Sequence, residues 1–61
     1  MLSDLPRQKM MAEQLFIEVQ HGRVESEWEE NFITDVYVRL TRGLPLSEKQ
    51  AVKLESLWER L

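Results

Sequence analysis

Residues 26–50 read SEWEENFITDVYVRLTRGLPLSEKQ, and the punctuation of this stretch decides the fold. Ser26 followed by Glu29 has the form of a capping box: a hydroxyl accepts from the third amide, and the carboxylate returns a bond to the cap. Behind it Trp28, Phe32, Ile33, Val36 and Leu40 recur at helical spacing, with Tyr37 at the margin. Gly43 can take the left-handed conformation that ends a helix, and Pro45 prevents its resumption. Ser47 with Gln50 repeats the capping pattern and opens another helix. Phe32 to Leu40 is rich in strand formers, but the paired caps and the helical period outweigh them. The stretch therefore predicts a helix over 27–41, a tight turn, and a helix over 48–60. So short a connection makes the two a helical hairpin.

Working outward, the segment before Ser26 predicts one more helix, over 5–21. Ser3 or Asp4 caps it, Pro6 is tolerated in its first turn, and Gly22 after His21 stops it. Leu5, Met11, Ala12, Leu15, Phe16 and Val19 fall on one broad face of this helix. The last helix presents Ala51, Leu54, Leu57, Trp58 and Leu61. Three such faces close into one core, so the expected fold is all-α: a single three-helix domain over 1–61 with a C-terminal hairpin. Helical spacing assigns both Trp28 and Trp58 to that core, with each indole N–H at its edge.

Size limits what such a domain does alone. A chain of 61 residues buries only about 60% of the surface its unfolded form exposes, and most chains this short add disulfides, a metal or a partner. It has no cysteine, which excludes disulfides and thiolate zinc sites, and one histidine, which excludes a multi-histidine site. Oligomerisation or good helix packing remains. The net charge of -3 argues against strong non-specific phosphate binding. The N-terminus lacks the basic and apolar regions of a signal peptide, and no apolar run approaches a membrane span. The expected location is cytoplasmic, without membrane attachment.

Catalytic chemistry finds little support. Gly22 and Gly43 are the only glycines, so no glycine-rich phosphate loop exists. His21 stands where a helix-end cap accounts for it, and Glu27, Glu29 and Glu30 occupy a first helical turn, where negative charge stabilises the helix dipole. No enzyme activity, cofactor or metal is expected. Two surfaces are candidates for partner binding instead. Met10 and Ile17 are seven residues apart and point away from the main apolar face, forming a narrow second stripe with Gln14 between them. Isolated apolar side chains are normal on surfaces, which is the plain alternative. On the third helix, Lys49, Lys53 and Arg60 share one flank and Glu48, Glu55 and Glu59 the other. Arg39 and Arg42 extend the basic side. That outline resembles a helix–turn–helix, yet charged flanks also border the apolar stripe of any solvated bundle helix.

Trp28-Glu29, Phe32-Ile33, Val36, Leu40 and Arg42-Gly43, followed by Leu46 to Gln50, Leu54, Leu57 and Trp58 to Arg60, carry a resemblance. This half of the chain, about residues 28–60, resembles a short module at the C-terminal ends of bacteriophage-encoded replication and recombination proteins. The resemblance implies phage origin, a host-cytoplasmic location and docking near DNA-processing machinery, and it transfers no catalytic residue. The leading expectation is a non-enzymatic interaction protein that binds itself as a homodimer or a DNA-metabolism protein. Met10 and Ile17 would make the apolar contact, with Arg39, Arg42, Lys49 and Lys53 for orientation. A small DNA-binding regulator using the hairpin, or an inhibitor presenting its acidic flank to a host protein, are the alternatives.

Overall fold

The computed structural model describes Leu5 to Arg60 and is all-α: α1 (Leu5–Gln20), α2 (Glu27–Thr41) and α3 (Glu48–Glu59). The cap of α1 at Ser3 or Asp4, and the place of Leu61 on the third apolar face, lie outside the described residues.

Both glycines act as the sequence implies. Gly22 has φ 69° and Gly43 has φ 74°, the left-handed region where a side chain is strained. Around each, two backbone bonds finish the helix. Gly22 N–H donates to Val19 C=O and Arg23 N–H to Glu18 C=O, both at 3.0 Å. Gly43 N–H donates to Leu40 C=O at 3.1 Å and Leu44 N–H to Arg39 C=O at 2.9 Å. This is the Schellman arrangement, which satisfies carbonyls that a helix end otherwise leaves bare.

At the helix starts the two serine caps differ. Ser47 and Gln50 form the full reciprocal box: Gln50 N–H donates to Ser47 Oγ at 3.2 Å, and Ser47 N–H to Gln50 Oε1 at 3.0 Å. Ser26 Oγ accepts from Glu29 N–H at 3.4 Å, but the Glu29 carboxylate turns to Arg60 Nη1, 2.8 Å away. A charged guanidinium is a stronger donor than a backbone amide, so the tertiary contact takes the carboxylate from the cap.

Each helix sends three apolar side chains inward. They are Met11, Ala12 and Leu15 from α1; Ile33, Val36 and Leu40 from α2; and Ala51, Leu54 and Leu57 from α3. Phe16, Val19, Val24, Phe32, Tyr37, Leu46 and Trp58 pack around this centre partly buried. Phe16 of α1 and Tyr37 of α2 stack with centroids 4.4 Å apart. The broad face of α1 makes it the central element: α2 lies along it most extensively, α3 less, and α2 and α3 meet each other least. The starts of α1 and α3 sit at one end, where Leu5 and Gln8 border the same cleft as Leu46 and Ala51. At the other end Arg60 reaches the first turn of α2. The helices thus run up, down and up.

Trp28 does not enter the core. It is 57% exposed, stacked flat on Phe32 at 5.7 Å with Lys53 Nζ 4.9 Å above its ring. Spacing gives the direction of a side chain but not whether a neighbour covers it, and the slight α2–α3 contact leaves this flank of α2 open. Leu5, also expected inside, is exposed at the rim of the cleft. Gln8 is buried: it stands three, four and seven residues before Met11, Ala12 and Leu15, so the helical period turns it inward, and only its polarity argued against the core.

Candidate docking surface

α1 carries its core residues on one side, and at about 100° per residue Met10 and Ile17 fall nearly opposite them. The structure leaves Met10 41% and Ile17 40% exposed. They are one element of a helix whose inward face is already shared by two neighbours, so the outward stripe is a separate surface. Beside it are the charged residues Lys9 and Glu13, both exposed and neither in an ion pair among the described residues.

The four basic residues singled out with this pair sit elsewhere, around the α2–α3 hairpin. Arg42 is the exposed C-cap of α2, where its amide donates to Val38 and Arg39 carbonyls and its charge complements the helix dipole. Arg39, one turn earlier, is half-buried, and its Nε is shielded from water with no hydrogen-bond partner among the described residues. Lys49 is exposed in the first turn of α3. Lys53 is half-buried against Trp28. The stripe on α1 and this basic group therefore form two surfaces, not one.

The charge segregation along α3 has an internal use. Its basic flank faces α2, where Arg60 pairs with Glu29 at 2.8 Å and Lys53 covers Trp28. Its acidic flank faces α1, where Glu55 meets Arg7 at 3.6 Å. A third pair, Arg23 with Glu18 at 3.2 Å, ties the α1–α2 turn to α1. These pairs are largely solvated, so each contributes between about 0 and 1 kcal/mol, but they orient α3 between neighbours of opposite sign.

A shallow cleft of ≈ 390 Å³ lies between the starts of α1 and α3. Its lining is mostly apolar, and Glu48 is the one ionisable side chain among the described residues that border it. Acid–base or nucleophilic chemistry needs several convergent groups, and this cleft does not gather them. His21 is exposed in the turn after α1, its backbone amide donating to Ile17 C=O at 3.1 Å. Among the described residues no group of three His, Cys, Asp or Glu side chains is placed to hold a metal ion. Nor is any helix among them long and apolar enough to cross a membrane.

Trp28 is the feature that periodicity misplaced. An exposed, rigid indole beside a lysine is the kind of group that anchors interfaces. Within the chain it already has two partners, Phe32 stacked at 5.7 Å and Lys53 Nζ 4.9 Å from the ring centroid. No local signal marks it, because its exposure depends on how closely α3 approaches this side of α2. No protein-family model, curated protein or solved structure matches the chain.

Proposed function

We propose that this is a non-enzymatic helical docking protein that engages another protein through the outer face of α1. The observation that carries the reading is the exposure of Met10 and Ile17 on the central helix, on the side neither α2 nor α3 covers. Full burial of such a side chain stabilises by about 1.5–3 kcal/mol, so hiding the exposed remainder of each offers roughly 1 kcal/mol. That magnitude fits a reversible contact assisted by charge. Arg42 and Lys49, both exposed at the hairpin turn, act at longer range as steering charges. The resemblance of residues 28–60 to the phage module makes DNA-processing proteins the first foreign partners to try.

A DNA-binding role draws less support from the geometry, since Lys53 and Arg60 are engaged by Trp28 and Glu29. The inhibitor reading loses Glu55 in the same way, to Arg7.

The test is a photo-cross-linking amino acid placed at Ile17 in the full chain inside cells, with exposed Thr34 on α2 as the control. A discrete adduct from position 17 and none from position 34 is the expected result. Equal labelling at both positions, or none at either, would overturn the reading.

A further inference from the structure

Resting on the docking reading above, we infer that the partner of this face is a second copy of the chain, its α1 antiparallel to the first. The order of charge along α1 selects the orientation. Arg7 and Lys9 lie in the N-terminal half, and Glu13 and Glu18 in the C-terminal half. A parallel copy would run the basic half along the basic half and the acidic half along the acidic half. An antiparallel copy sets the basic half along the acidic half, and it also opposes the two helix dipoles.

The apolar stripe fixes the register. Met10 of one copy meets Ile17 of the other when the two-fold axis passes between Glu13 and Gln14, so that an isologous contact is made by one self-complementary patch. In that register Lys9 lies about 7–8 Å along the helix from Glu13 of the second copy, on the same flank, within reach of two long side chains. These are the two charges beside the stripe that have no ion pair of their own among the described residues. Arg7 and Glu18 come together on the opposite flank, where each can share its present partner, Glu55 or Arg23. Pro6 is confined to the first turn of α1, so the helix is free of proline and glycine across the whole contact.

The chain has no cysteine, which makes thiol chemistry selective. Met10→Cys and Ile17→Cys variants are made singly, mixed and oxidised. A disulfide requires Cα atoms within about 7 Å, and in the antiparallel register positions 10 and 10 are displaced along the axis by about 10 Å. The expected product is therefore the mixed 10–17 dimer, at least fivefold above either like-with-like dimer. Dominant 10–10 and 17–17 products would overturn the antiparallel arrangement.

Sedimentation of the wild-type chain runs in parallel, over a series reaching about 1 mM, where even a millimolar contact is substantially populated. Ile17→Asp should weaken association at least tenfold with the helical circular-dichroism signal retained. A charge exchange keeps the test decisive should that variant unfold. Lys9→Glu alone should weaken association and Lys9→Glu with Glu13→Lys should restore it. A monomer throughout, or a double exchange no better than the single one, overturns self-pairing. The position-17 photo-adduct separates that failure from failure of the docking reading. A foreign mass keeps docking and removes the second copy; no adduct removes both.

Discussion

Trp28→Ala is the substitution whose outcome depends most on where the ring lies. A tryptophan fully enclosed in a core loses about 3–5 kcal/mol on truncation. Here 57% of Trp28 is exposed, so less than half of a ring that can bury up to about 250 Å² is withdrawn from water. Roughly 100 Å² at about 25 cal/mol per Å² gives about 2.5 kcal/mol as an upper limit, reduced because the unfolded chain also shelters some of its surface. Alanine recovers a few tenths of a kcal/mol through its better helix propensity. The expected net loss is about 1–2 kcal/mol, read from the midpoint of urea unfolding followed by circular dichroism. A double-mutant cycle with Lys53→Ala should return a coupling of about 0.5–1 kcal/mol for the ammonium over the ring. Fluorescence gives an independent reading, because Trp58→Phe leaves Trp28 as the sole indole, and its emission should be readily quenched by acrylamide. A loss of about 3 kcal/mol or more, with emission shielded from the quencher, would refute the exposed placement.

Leu54→Ala should be the most damaging of the simple truncations, because Leu54 is fully buried where the helices converge. A loss of about 3–5 kcal/mol is comparable with the total stability of a domain this small, so the variant should lack a cooperative thermal transition. Ser47→Ala removes the acceptor of a complete capping box and should lower stability by about 1 kcal/mol, while Ser26→Ala, from a half-formed box, should lose less. Arg39→Met removes a shielded donor that has no partner among the described residues, so urea unfolding should show stability unchanged or raised by about 1 kcal/mol. A loss above about 2 kcal/mol would mean that Arg39 is engaged by a group this structure does not pair with it.

The helices and their ends were legible in the sequence because they depend on neighbours close along the chain. Gly22, Gly43, Ser26 and Ser47 act within a few residues of themselves, and each stands where its chemistry is needed. The inward faces were legible for the same reason, since Met11, Leu15, Ile33, Val36, Leu54 and Leu57 follow from the period alone. What the period does not contain is the distance between helices. Trp28 meets the Lys53 ammonium of α3 yet stays mostly exposed, and Glu29 prefers Arg60, a residue 31 positions away, to its own cap. The flanks of α3 read as a candidate binding surface for the same reason. Only the placement of α1 and α2 beside it shows that each flank already has a neighbour of opposite charge. Met10 and Ile17 stayed outside the core as their positions implied, because neither α2 nor α3 occupies that side of α1.

The central position of α1 separates two things easily confused, the part of the chain that looks like a module and the part that folds as one. The α2–α3 hairpin is continuous along the chain, yet α2 and α3 share the smallest of the three helix contacts, and their common support is α1. The hairpin is thus an architectural unit without being a cooperative one. Excised, it would lose the helix that supplies Met11, Ala12 and Leu15 to both its members, and it should exchange its amide protons like an open chain. Any graft of the hairpin onto another protein would have to bring a substitute for α1, so the smallest transferable piece of this fold is the whole of it.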